Sequence, residues 1–359
     1  MKPRINEKST KCTVIIDTTP LGTASAGRGI GMYTRMLSEA LEKLDACSVL
    51  HSSTEISPTL PTVQHYPFFD LYFPTLPFLH RWPSVVTIHD VIPLKFPDQY
   101  AAGKKGALNY IRQKAALSRV DAIITDSYAS KVDIVELLGV PAKKVSVIYL
   151  AGNAHMQPVE KSMLKQVKIK YQLPDQYICY VGDINFNKNI PALIKALRYL
   201  PEHISLVCVG SAFTPAQIPE WKAIESQVAL TDVANRILFL NSIGRDEVTA
   251  LSAIVQQALC YVQPSLYEGF GLPVLEAQQC GTPVVVAKNS SLAEVGGSDV
   301  VYSTETSESL AAGVLTVLNW SAAAREKHTR AGKLWARRFT WDRVAQQTLE
   351  VYKTVLKLH

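Results

Sequence analysis

Short apolar, β-branched runs alternate with segments of helical period along the whole chain, which predicts an α/β protein built on parallel sheets. In the first half, residues 12–17, 85–89, 122–125 and 145–150 read as buried strands. In the second half, residues 177–182, 205–210, 237–240, 259–262 and 283–287 read the same way. From Trp341 to Leu356 the apolar positions Val344, Leu349, Val351, Tyr352 and Val355 recur near helical spacing, so an amphipathic helix ends the chain. The polar, lysine-rich stretch 151–173 separates the two sets of strands. The reading is therefore a domain at 1–160, a second at 161–338 and a terminal helix at 339–359. Two Rossmann-like domains facing across a cleft is the expected architecture, with ligands beyond the carboxyl ends of the strands.

At 359 residues the chain exceeds the length at which a single core stops growing, which supports two domains. Hydrophobic residues at 47% and charged residues at 19% exclude a disordered chain. No run of 18 uncharged apolar residues offers a membrane span, and the polar start of the chain lacks the apolar core of a signal peptide. Six cysteines lie far apart without C-x-x-C spacing, so neither a zinc site nor a disulfide framework is expected and a cytoplasmic location fits. The net charge of +6 is uneven: residues 1–170 carry +7 and residues 171–359 carry −1. The basic excess is sharpest at Lys104, Lys105, Arg112, Lys114 and Arg119 on one predicted helix. An aromatic, proline-punctuated stretch, residues 66–78, lies in the same domain. Its readings are burial, an acceptor-binding loop, or, with the basic helix, peripheral contact with an anionic membrane. No nucleic-acid partner is expected.

Four stretches carry the candidate chemistry. The densest is Pro264-Ser265-Leu266-Tyr267-Glu268-Gly269-Phe270-Gly271-Leu272-Pro273-Val274-Leu275-Glu276, in which two carboxylates lie eight positions apart. Pro273 suits the first turn of a helix. Glu268 then falls in a strand-to-helix loop, Glu276 about a turn into the helix, and free amides near Gly271 and Leu272 face a bound anion. The second stretch, Gly182-Asp183-Ile184-Asn185-Phe186-Asn187-Lys188-Asn189, follows a strand, and so does the third, His89-Asp90. Asp90 is read as orienting His89, because a carboxylate partner fixes a histidine tautomer. The fourth, Gly27-Arg28-Gly29-Ile30-Gly31, opens a helix. Ser291-Leu292-Ala293-Glu294 has the form of a capping box, while Arg245 reads as a solvated residue at a helix start.

The string from Glu268 to Glu276, with Cys280-Gly281-Thr282-Pro283 after it, resembles the E-x(7)-E signature of glycosyltransferase family 4, the retaining group 1 enzymes of GT-B fold. The resemblance implies a metal-independent hexosyltransferase that uses a nucleoside diphosphate sugar, with mannose the favoured hexose, and a glycan or lipid-linked acceptor. It makes Glu268, His89 and Lys188 the catalytic candidates. Glu276, Gly269, Phe270, Gly271, Leu272, Asn187, Gly29 and Gly31 become the donor-binding candidates. Asn187 stands where many members have arginine, and the terminal helix is expected to cross back onto the first domain. Neither a cofactor nor a metal is implied. The rival readings are a sugar-nucleotide epimerase or hydrolase of the same fold, a nicotinamide-dependent oxidoreductase and a non-catalytic scaffold. The nicotinamide reading is weakened because G-x-G-x-G replaces G-x-G-x-x-G and lies ten residues beyond the strand.

Overall fold

In the computed structural model, which describes residues 11–22, 29–51, 59–243 and 247–358, the apolar runs become parallel strands with mostly buried side chains. The chain divides into two units, Met1–Tyr149 with Trp341–His359, and Leu150–Thr340. Among the described residues no helix is long and apolar enough to cross a membrane.

The sheet of the first unit contains β1 (Cys12–Ile16), β2 (Cys47–His51), β3 (Thr62–Tyr66), β4 (Ser84–Thr87), β5 (Ala122–Thr125) and β6 (Val145–Val147). Their spatial order is β2-β1-β3-β4-β5-β6, with every pairing parallel. Every residue of β1 and β4 is buried, which is why neither shows polar alternation. The terminal helix Trp341–Leu356 packs on the helix Gly29–Glu42. It buries Trp341, Val344, Ala345, Thr348, Leu349 and Tyr352, a stripe that follows helical spacing.

The second unit holds β7 (Tyr177–Val181), β8 (Ser205–Val209), β9 (Ile237–Leu240), β10 (Tyr261–Gln263), β11 (Val284–Ala287) and β12 (Val301–Ser303). The order β9-β8-β7-β10-β11-β12, again all parallel, reverses direction between β7 and β10. Loops leaving neighbouring strands diverge at such a reversal and open a crevice beyond the carboxyl ends.

Several expectations shift. Strands β2, β3 and β12 have no counterpart in the sequence reading, and β10 lies at 261–263 instead of 259–262. The chain enters the second unit at Leu150, ahead of the 160/161 boundary. Residues just after it are tied there: the Asn153 amide donates to Glu276 at 3.2 Å and the Val159 amide to Gln256 at 2.7 Å.

Candidate active site

The β7 and β10 loops meet at the reversal point of the second sheet. A Cβ on Gly210, at the end of β8, would lie 2.1 Å from the Gly182 carbonyl oxygen, so only glycine lets the β7 loop leave the sheet there. That loop makes a 3-10 turn, Phe186–Lys188. Buried Asn187 stitches it to the β10 loop: its Nδ2 donates to the Tyr267 carbonyl at 2.9 Å, and its own carbonyl accepts from the Leu266 amide at 2.7 Å. Asn189 adds a bond from Nδ2 to the Pro264 carbonyl at 3.0 Å.

This stitching sets Lys188 against Glu268. Lys188 Nζ donates to Oε1 at 2.8 Å and to Oε2 at 2.7 Å. Glu268 is only 6% exposed and also accepts from Ser265 Oγ at 2.7 Å and Gln263 Nε2 at 2.9 Å. Tyr261 in turn donates its hydroxyl to Gln263 Oε1. Burying a carboxylate is costly unless it is paired and hydrogen-bonded, and these partners offset that cost.

The loop after β11 fixes the backbone. Ser290 Oγ accepts from the Glu268 amide at 3.0 Å, and Ser291 Oγ donates to the carbonyls of Glu268 and Phe270 at 2.9 and 2.8 Å. Ser291 therefore does not cap its helix, contrary to the capping-box reading, because its hydroxyl is engaged by the Glu268 loop. Gly271 takes φ 102°, where a Cβ would meet Leu292 at 2.8 Å. It starts the helix Leu272–Cys280 without a side-chain cap, with Pro273 in the first turn and Glu276 one turn in. Buried Gly269 and half-buried Leu272 flank this start. The Phe270 ring is buried, 6.2 Å from Phe339.

His89, in the first unit, follows β4. Its Nδ1 is 2.7 Å from Asp126 Oδ2 and its Nε2 is 3.2 Å from the Pro67 carbonyl. Asp126, just after β5, takes the place that the sequence reading gave to Asp90; Asp90 Oδ1 instead accepts from the Ile92 amide at 3.0 Å. Burial opposes charge on His89, but Asp126, Asp90 and the Pro67 carbonyl outweigh it and raise the pKa above its ordinary 6.5. The ring of Tyr33 stands edge-on to it at 4.8 Å. A cavity of about 230 Å³ beside His89 and Asp90 is lined by Ile30, Phe68 and Phe69 among others, so the aromatic stretch is partly buried and partly cavity wall. Gly29 and Gly31 lie in the first turn of the helix Gly29–Glu42, while Gly27, Arg28 and Arg245 fall outside the described residues.

The structure thus joins Lys188 to Glu268 and places Glu276 on the adjoining helix. Gln263, Ser265, Ser290, Ser291 and Asp126 had no part in the site read from sequence. Ser265 stood inside the signature string, where its closeness to Glu268 was the available signal. Asp126 is 37 residues from His89 and carried none. Among the described residues no group of three or more His, Cys, Asp or Glu could hold a metal ion.

Residues 165–335 match the family described as glycosyl transferases group 1, and residues 62–151 match glycosyltransferase family 4. The chain is 29% identical over 276 residues to O-antigen chain mannosyltransferase B of Escherichia coli, covering 75% of this chain and 70% of that one. It is 27% identical over 282 residues to the serotype-specific mannosyltransferase WbdA of Escherichia coli, covering 77% of this chain but 34% of that one. Anabaena HepE, crystallised with UDP-glucose, shares the fold with a TM-score of 0.71 at 17% identity, over 96% of this chain and 99% of that one.

Proposed function

The chain belongs to the group 1, family 4-like glycosyltransferases of GT-B fold and is a hexosyltransferase, and we propose that it moves mannose from GDP-mannose to a growing glycan with retained anomeric configuration. The observation that carries this reading is the partly buried Lys188–Glu268 pair at the strand-order reversal, beside an uncapped helix start. The mannosyltransferase names of the two bacterial relatives support the choice of sugar.

In this reading the diphosphate binds at the amides around Gly271 and Leu272, and Lys188 turns from Glu268 toward it. Glu268, released from its cation, faces the transferred sugar, where positive charge develops as in glycoside hydrolysis. The bond from the anomeric carbon to the phosphate oxygen breaks, and the acceptor oxygen bonds to that carbon on the same face. The acceptor proton passes to the departing phosphate oxygen. Glu276 holds the ribose hydroxyls. Lys188 and the helix amides offset the phosphate charge, a preorganised field acting where water is excluded. Full activity in EDTA is expected, and an absolute need for a divalent ion would overturn that point.

The enzyme works in the cytoplasm on a lipid-linked or glycan acceptor at an anionic membrane surface. The test is purified protein with a panel of nucleotide sugars and mannan or lipid-linked acceptors, read by proton NMR of the first-formed product. An α-linked mannoside formed from GDP-mannose is the expected result. Transfer from another donor refutes the sugar, and an inverted linkage refutes the stereochemistry.

A further inference from the structure

The two ring nitrogens of His89 face two groups that can only accept. Nδ1 is 2.7 Å from the Asp126 carboxylate, and Nε2 is 3.2 Å from the Pro67 carbonyl. A neutral imidazole has one N–H and can serve only one of them, whereas an imidazolium serves both. Asp126 is 2% exposed, and among the described residues its Oδ1 is buried without a hydrogen-bond partner; this burial raises the pKa of its carboxyl, and the charge and hydrogen bond of His89 oppose that rise, so each group favours the ionised form of the other. We propose that Asp126 is a positioning residue that holds His89 as an imidazolium, so that His89 serves the site as a fixed cation and not as a base. This rests on the reading of His89 as part of the transferase site.

The surroundings agree. Asp90, on the same loop, adds a second carboxylate, and the uncharged Tyr33 of the helix Gly29–Glu42 packs edge-on. His65 of β3 also acts on His89, and burial lowers its pKa to about 3, so it brings no competing cation at neutral pH. Burial opposes the charge on His89, yet its pKa is raised, because Asp126, Asp90 and the Pro67 carbonyl outweigh that cost. Ser130 Oγ donates to the His89 carbonyl at 3.0 Å and fixes the backbone beneath the ring. A charged donor makes a shorter and roughly twofold stronger hydrogen bond than a neutral one. With both nitrogens protonated, His89 has no lone pair for the acceptor's proton, which leaves the departing phosphate oxygen to take it.

The test is ¹⁵N-histidine NMR on the full chain from pH 5 to 9, with the His89 signal identified by its loss in His89→Gln. In the wild type both nitrogens are protonated at neutral pH. In Asp126→Asn the titration moves to lower pH by about 1–3 units, the usual effect of losing an adjacent opposite charge. Activity as kcat/KM falls as pH rises through the His89 pKa, and the fall moves to lower pH by the same amount in Asp126→Asn. Asp126→Glu restores much of that shift, which a role in folding alone does not predict. A neutral His89 at pH 7 in the wild type overturns the proposal without any variant. An unmoved titration in Asp126→Asn, or activity that rises through the His89 pKa, also overturns it. The NMR reading needs no donor sugar, so a failed transfer assay beside an intact imidazolium counts against the transferase site and not against the Asp126–His89 pair.

Discussion

At the scale of single residues, Glu268 and Glu276 sit in different environments although eight positions apart. Glu268 is buried with a lysine, an amide and a hydroxyl donating to it, while half-buried Glu276 accepts from the backbone amide of Asn153. Glu276 is set to hold the ribose, which does not react, so Glu276→Gln should mainly raise the donor KM. Glu268 faces developing charge, so Glu268→Gln should mainly lower kcat. A hydrogen bond to a charged group contributes about 1.5–3 kcal/mol, or roughly 10- to 150-fold in either parameter. Donor titrations at saturating acceptor decide it, and the reverse pattern contradicts the roles. The ion pair adds a second expectation. Lys188→Met takes the cation away from a buried carboxyl group, a loss of about 3 kcal/mol at most, because the lysine side chain is still 21% exposed. The double variant Lys188→Met/Glu268→Gln should recover part of that loss in urea unfolding. Strictly additive losses would show that the two side chains do not support each other.

At the scale of elements, what the sequence made legible were the strands covered on both faces and the loops with dense local spacing. Residues 122–125 and 237–240 were read at their observed limits, as was the terminal helix, because their patterns are local. Strand β2 lies at the sheet edge, is only partly buried and has no alternation, and β12 spans three residues. Strand β3 reads polar because His65 points into a buried network instead of water. The site divides the same way: Lys188 and Glu268 were legible from their own loops, whereas Asp126 reaches His89 only through the pairing of β4 with β5. The basic helix Gly103–Leu117 was legible too, although it ends before Arg119, but not its bond to the aromatic loop. Buried Gln113 accepts from the Thr75 and Leu76 amides at 3.1 and 2.9 Å, and buried Asn109 donates to the Tyr72 carbonyl at 2.9 Å. Exposed Phe73, Phe78, Leu79, Leu108 and Ile111 thereby share one local unit with exposed Lys104, Lys105 and Arg112. Each such cation near an anionic lipid surface contributes about 1 kcal/mol. Co-sedimentation with phosphatidylglycerol vesicles should fall with salt and drop further in Ile111→Asp. Equal binding to neutral vesicles, or none to anionic ones, contradicts a membrane face.

At the scale of the whole molecule, the chain leaves the first unit at Tyr149 and returns to it at Trp341, so that unit is complete only when the terminal helix docks. The helix brings a polar chain into the core: Tyr352 OH lies 2.6 Å from His65 Nδ1, His65 Nε2 lies 2.8 Å from Thr87 Oγ1, and Thr87 Oγ1 lies 2.9 Å from Tyr33 OH. Burial lowers His65 from 6.5 to about 3. Between those values the unfolded chain binds a proton that the folded chain refuses, so the His65 contribution is complete above pH 6.5 and shrinks as pH falls toward 3. At about 1.4 kcal/mol per pH unit, lowering the pH from 7 to 5 should remove about 2 kcal/mol. His89 has the opposite sign: its pKa is raised in the fold, so its contribution is present at low pH and is lost as pH rises through the folded value. The two histidines therefore favour different ends of the same range, and His65 governs the acid side. Urea midpoints at pH 7, 6 and 5 should show the acid loss in the wild type and a shallower one in His65→Gln, whose amide has no proton to take up. Parallel pH slopes in the two proteins would mean that the terminal helix docks without drawing on a neutral His65.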